Sequence, residues 1–234
     1  MIATIVNAIT VTIGSLIGLL LHKHISESFK GIVFTATGMI AMVLGFKMAF
    51  ESQKIIFLAF SLILGGILGE WWNIEGGILK FGDFLKKRFA KSESGESFAY
   101  GFLDASVLFC VGAMTLVGAF KAGAEGNYEL LLTKSVMDGF MAIMLTSALG
   151  IGVAFSAITI LLYQGGLTIA SMWLQPMVTD LVLSELTGAG GVLVIMIGLN
   201  LLGLKNIKTA NFIPTLILIV IFVAINPYLP SPPF

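Results

Sequence analysis

Two aspartates stand inside long apolar stretches of this chain. Asp138 lies in KSVMDGFMAIML and Asp104 in AYGFLDASVLFCVG. An ionisable group at the centre of a lipid-embedded helix costs about 2.5–3.5 kcal/mol even on the lenient insertion scale. Each must therefore face protein or a water-filled path. Asp138 falls about two turns into its segment, and Gly139 beside it lets a neighbouring backbone approach closely. Such a carboxylate can carry H⁺ or Na⁺ alongside a solute. Asp104 lies nearer the start of its segment. There a carboxylate can also snorkel to the surface or favour the positive end of the helix dipole.

Three further polar positions invite the same question. Glu185 in SELTGAGG precedes Gly188, Gly190 and Gly191. That run weakens a helix, and an opened stretch would expose carbonyls and helix ends to an ion or a carboxylate. The alternative is a helix start at the outer surface with Glu185 in water. Gln164, Gly165 and Gly166 form either a broken-helix site or a helix contact with one satisfied amide. Asn200 in IGLNLLGL and Asn7 in IVNAIT are single polar residues in apolar runs, where interhelical bonding is the default. The candidate solute- or ion-binding set is therefore Asp138, Gln164, Asn200, Glu185, Asp104, Gly165, Gly166 and Gly190.

Enzyme chemistry finds little here. No HExxH occurs, and the two histidines, His22 and His24, flank one apolar run, so no metal ligand set and no cofactor are expected. No GxSxG is present. Asp104 and Asp138 could share a proton as an aspartyl protease pair does, but neither sits in a YD or GxGD context. Cys110 reads as a small apolar residue.

The elements that must position these groups follow from composition. The chain has 234 residues, 57% hydrophobic and only 11% charged, with mean hydropathy +1.01. A soluble domain carries about a quarter charged residues, so the natural solvent is lipid and the chain reads as one all-α polytopic membrane domain over 1–234. Thirteen basic against thirteen acidic residues leave no face for nucleic acid. Apolar runs separated by charges and turn residues predict eight spans at about 2–21, 29–50, 54–72, 98–120, 130–149, 151–174, 182–204 and 208–227. Residues 130–174 read as two helices meeting at Gly150 or as something more broken. The first span lacks a basic start and is long for a cleaved leader, so it is expected to stay.

The loop 73–97 spaces Ile78, Phe81, Leu85 and Phe89 as one helical face, with Lys80, Lys86, Lys87, Arg88 and Lys91 elsewhere. It is either a basic amphipathic helix on an anionic surface or a solvated loop. With this loop cytoplasmic, positive charges number nine inside against four outside (Lys47, Lys54, Lys121, Lys134), which puts both termini outside. Trp71, Trp72 and Trp173 fall at span ends, as interfacial indoles should.

Residues 37–48, TGMIAMVLGFKM, align without gaps on 190–201, GGVLVIMIGLNL, pairing Gly38 with Gly191 and Gly45 with Gly198. The two copies fall in the second and seventh spans, whose starts are an odd number of spans apart. The alignment therefore points to an inverted-topology repeat, spans 1–3 against 6–8, of the kind that scaffolds secondary transporters. Two glycine-rich helices also give such a match by chance, and both readings stand. Gly14 with Gly18, and the cluster Gly65, Gly66 and Gly69, read as close helix packing, which leaves a homodimer open.

The segments LFCVGAM (108–114), KSVMDG (134–139), LGIGVAFSA (149–157), LYQG (162–165), GGVLVIMIGLNLLGLK (190–205) and IKTANFIP (207–214) resemble a bacterial integral-membrane family known only as a domain of unknown function, the YqgA-like proteins. The resemblance spans essentially the whole chain. It implies a compact inner-membrane protein, often considered a transporter, with no settled substrate. It also sets Asp138, Gln164 and Asn200 inside matching motifs. The expected function is a secondary transporter of a small solute or ion, coupled through an intramembrane carboxylate. The alternatives are a passive channel and a membrane module that binds a partner or regulates without transporting.

Overall fold

The computed structural model describes residues 1–22, 27–77, 80, 84, 95–110, 113–174 and 179–226, and all regular structure among them is helical. The apolar runs fold as α1 (Ile2–His22), α2 (Glu27–Ala49), α3 (Ile55–Trp72), α4 (Gly95–Cys110), α5 (Ala113–Phe120), α6 (Glu129–Leu149), α7 (Ser156–Leu174), α8 (Asp180–Leu201) and α9 (Pro214–Ile225). A π-helical turn, Lys121–Glu125, follows α5, and 3₁₀ turns at Ile151–Phe155 and Thr209–Phe212 precede α7 and α9. Local chemistry sets several ends. Asn73 closes α3 in the left-handed region at φ 50°, its N–H reaching the carbonyls of Gly69 and Glu70. The Thr179 side chain accepts from Val182 N–H to start α8, and Pro214 opens α9.

Among the described residues five stretches are long and apolar enough to cross a membrane: Ile2–Leu21, Ile55–Trp72, Glu129–Leu149, Ile151–Ser171 and Asp180–Leu201. Shorter apolar helices cover Phe34–Ala49, Phe98–Cys110 and Thr209–Ile225. Large apolar side chains coat the outside: Leu162 is 73% exposed and Phe140 67%. Alanine, glycine, serine and threonine crowd the helix contacts, as they do where lipid removes the hydrophobic drive between helices.

Three readings that the sequence left open are decided by the structure. The chain at Gly150 is two helices: Gly150 adopts φ 83°, its N–H bonds Thr146, and a 3₁₀ turn leads into α7. The helix does not open at Gln164–Gly166, because α7 runs intact through them. Nor does it open at Gly188, Gly190 and Gly191, because α8 is continuous there. At Gly188 and Gly191 the absence of a side chain serves packing. A methyl on Gly188 would come 2.6 Å from Ser52 Cβ, and one on Gly191 would strike the backbone of Ala49. The expected amphipathic face at Ile78, Phe81, Leu85 and Phe89 lies outside the described residues.

Helix directions can be read from the contacts. In α2 and α8, Gly38 meets Gly198 and Leu202 while Gly45 meets Gly191 and Ile195, so the two run antiparallel. Gly65, Gly66 and Gly69 meet Thr215, Phe212 and Asn211, which sets α3 against the 3₁₀ turn and α9, again antiparallel. Gly14 and Gly18 pack on the carbonyls of Gly139 and Ile143, so α1 and α6 are parallel. Phe98 meets Gly152, Ser106 meets Thr159, and Gly123 meets Thr168 and Ser171. The stretch from α4 to the π turn thus runs parallel to Ile151–Ser171.

Candidate functional site

Asp138 is one residue from Gly139, the midpoint of α6, and Gln164 is one residue from Gly165, the midpoint of α7. At 1.5 Å rise per residue both lie close to the middle of the helical layer. Close packing of α1 on α6, allowed by Gly14 and Gly18, brings Asn7 to both. The Asn7 amide nitrogen donates to Asp138 Oδ2 at 2.9 Å and to Gln164 Oε1 at 3.0 Å. Gln164 Nε2 in turn donates to Thr4 Oγ1 at 3.2 Å. Asp138, Gln164 and Asn7 are all buried, so these bonds form in a low-dielectric interior.

Lys134, one turn before Asp138, completes the group. Its ammonium forms a buried ion pair with Asp138 Oδ2 and stands 6.0 Å from the centre of the Phe109 ring. Taking away one member of such a pair typically costs about 3–5 kcal/mol, because a charge is left buried without its partner. One acceptor in the group has no partner among the described residues: Asn7 Oδ1 is buried and unbonded, which costs about 1–3 kcal/mol.

The pair opens on a cavity of about 210 Å³ between α2, α4, α5, α6 and α8. Lys134 and Asp138 line it together with Thr115 and Thr187. Leu44, Met48, Leu108, Phe109, Met114, Met137 and Met141 supply most of the wall, and Lys47 and Glu51, both exposed, stand at its rim. Unbranched methionine side chains make a wall that can reshape around different contents.

The other predicted residues lie elsewhere. Glu185 is fully buried rather than in water. Its carboxylate accepts from Ser52 Oγ at 2.7 Å and from the N–H groups of Gln53 and Lys54, each at 2.6 Å. Those donors lead into α3, so the anion caps the positive end of that helix. Asn200 pins the link into α9: its amide donates to Ile207 O at 2.9 Å and accepts from Ile207 N–H at 2.8 Å. Gly165 is buried beside Thr4 and Met1, Gly166 faces outward with open space around it, and Gly190 is buried within α8. Asp104 is buried within electrostatic reach of Glu75 at the far end of the bundle.

Sequence reasoning left Glu75 and Asn211 unmentioned, and they organise that far end. Glu75 N–H donates to Asn211 Oδ1 at 2.8 Å, and Ala210 N–H reaches Glu75 Oε2 at 3.3 Å. Burial pushes the Glu75 carboxyl above its ordinary range, against the opposing pull of the Ala210 N–H and Lys208. Glu70 accepts from Asn211 Nδ2 at 2.6 Å and pairs with exposed Lys208 at 2.7 Å. The Lys134 assignment needs correction: it is not an external loop charge but a buried partner of Asp138. The signal was available in KSVMDG, since residues four apart share a helix face.

Over residues 2–224 the chain matches the family model described as "Protein of unknown function (DUF554)". It is 33% identical over 229 residues to the uncharacterized membrane protein YdfK of Bacillus subtilis (strain 168), covering 95% of this chain and 96% of that one. It is 26% identical over 220 residues to the uncharacterized protein YqgA of Escherichia coli (strain K12), covering 93% and 94%. No solved structure matches. With a family model covering nearly its whole length and a full-length relative at this identity, the chain belongs to the DUF554 family.

Proposed function

We propose that the protein is a secondary transporter of the bacterial inner membrane, moving a small solute coupled through Asp138. The observation that carries this is the buried Lys134–Asp138 pair, near the middle of its helix, opening on a cavity of about 210 Å³. A purely structural ion pair gains nothing from a cavity beside it, and a buried charge is costly to keep without a use. Gln164 and Asn7 hold the Asp138 carboxylate in place. Glu185 and Asn200 act from a distance, fixing α3 and α9.

The helix directions support eight crossings of alternating sense, with the stretch from α4 to the π turn making one crossing. They also support an inverted repeat. Gly38 to Gly191 and Gly45 to Gly198 are both steps of 153 residues. The same step carries α1 onto α7, α2 onto α8, and α3 onto the stretch that ends in α9. It also exchanges the Gly38–Gly198 contact with the Gly191–Gly45 contact, as a two-fold axis between α2 and α8 requires. Both termini then lie outside; moving Lys134 into the core leaves Lys47, Lys54 and Lys121 as the external basic residues.

The test is proton or sodium flux into proteoliposomes loaded with an ion-sensitive dye, evoked by a panel of small metabolites. At least one solute should evoke flux, and Asp138→Asn should abolish it while the variant stays folded. Flux unchanged in Asp138→Asn removes Asp138 from the mechanism, and steady conductance without saturation identifies a passive channel.

A further inference from the structure

We infer that the coupling ion is a proton and the cargo a small monoanion with an apolar body, loaded together onto the Lys134–Asp138 pair. This rests on the transporter reading above and names its cargo. In the structure each charge answers the other. An anion bound to Lys134 alone would strand the Asp138 carboxylate in the interior. A proton on Asp138 alone would strand the Lys134 ammonium. For an anionic cargo only joint arrival keeps every buried charge balanced: a proton from water converts the carboxylate to the acid, and the freed ammonium takes the incoming anion. The loaded and empty sites then carry the same net charge, which is the condition for tight coupling.

Among the described residues no other charge near the site upsets this balance. On α1 Asp138 meets Asn7, and α7 brings Gln164 and Tyr163 into the neighbourhood. α4 contributes the thiol of Cys110, and α5 and α8 bring Thr115 and Thr187 to the cavity. α2 brings Lys47 and Glu51, one of each sign, at the rim.

Two details favour a proton over sodium. A hard cation needs a shell of oxygens, whereas Asp138 Oδ2 is met by the nitrogens of Asn7 and Lys134. Asn7 Oδ1 has no donor among the described residues, and protonated Asp138 supplies one if the amides of Asn7 and Gln164 turn over together, Gln164 then donating to Asn7 Oδ1 and accepting from Thr4. The cargo's body follows from the wall, where Leu44, Met48, Leu108, Met114 and Met141 surround one lysine. A cavity of about 150 Å³ accommodates benzene, so benzoate suits this one as a probe.

The experiment is calorimetric titration of benzoate into the purified protein in detergent, at one pH in two buffers of different ionisation enthalpy. Wild type should take up about one proton per benzoate bound, and its affinity should fall about tenfold per pH unit above neutrality. Asp138→Asn, which mimics the loaded acid, should bind benzoate with no proton uptake and no such pH dependence. Lys134→Gln should bind at least tenfold more weakly. Thermal melting of each variant separates lost binding from lost folding. Binding without proton uptake in wild type overturns the proposal. Preferential binding of phenylalanine without protons also overturns it, in favour of a zwitterionic cargo. If benzoate does not bind while other solutes still evoke Asp138-dependent flux, the cargo assignment falls and the transporter stands.

Discussion

At Glu75 burial and neighbouring donors pull in opposite directions, and burial is the larger effect. Its folded-state pKa therefore lies above the ordinary 4.5. Between those values the unfolded chain is ionised while the folded one keeps its proton. Stability from this group is complete below pH 4.5 and is lost as pH rises through the raised value. Glu75→Gln keeps an acceptor for the Ala210 N–H and removes the charge. The variant should melt with wild type near pH 4.5 and above it at pH 8. A lower melting temperature at pH 8 would mean that the anion is held favourably by Ala210 and Lys208. Asp138 differs in kind, because its partner is a full charge in the preceding turn of its own helix. Its identity as a buried carboxylate was legible from the apolar letters around it. Lys134 was counted among the external charges because it lies near the start of its segment, although its spacing of four from Asp138 in KSVMDG already put the two on one helix face.

At the scale of elements, glycines set the distances between helices. A methyl at Gly69 would strike the Asn211 carbonyl, and one at Gly45 would come 2.7 Å from Ile195 Cγ1. Gly69→Ala and Gly45→Ala should therefore lower the melting temperature and the folded yield. Gly166, with nothing nearby, provides the contrast. Replacing it by Ala keeps the helix and gains about 0.5–1 kcal/mol in helical preference, so its melting temperature should hold or rise. Equal losses at all three sites would indicate that helix contacts are not what these glycines serve. The sequence located this packing at Gly14, Gly18, Gly65, Gly66 and Gly69. It misjudged Gly188, Gly190 and Gly191, because a glycine that loosens an isolated helix also lets a neighbour approach, and only the neighbour decides between the two.

The whole molecule adds a constraint of direction. The proposed topology of eight alternating crossings with both termini outside predicts the α2–α3 link outside and the α8–α9 link inside. In a background lacking Cys110, Gln53→Cys should react with a membrane-impermeant maleimide on intact cells. Lys205→Cys should react only after the membrane is opened. The reverse pattern would invert the orientation, and labelling of both from one side would break the alternation. If the 153-residue step reflects a true repeat, α2 against α8 is its axis, and the cavity beside α6 and α8 sits where two halves could rock.

Composition and periodicity alone determined the solvent, the helical class and nearly every segment, because a backbone in lipid must bond within itself and needs a fixed apolar length to do so. They also picked out Asp138 and Gln164, whose presence in apolar runs demands a polar partner. Only the tertiary structure decided who those partners are. It gave Asp138 to Lys134 and Asn7, with a cavity beside them, and joined Glu185 to the start of α3. The reason is that one helix fixes which residues share its face, whereas pairing across helices depends on which faces meet, and that is settled by close packing of the whole bundle.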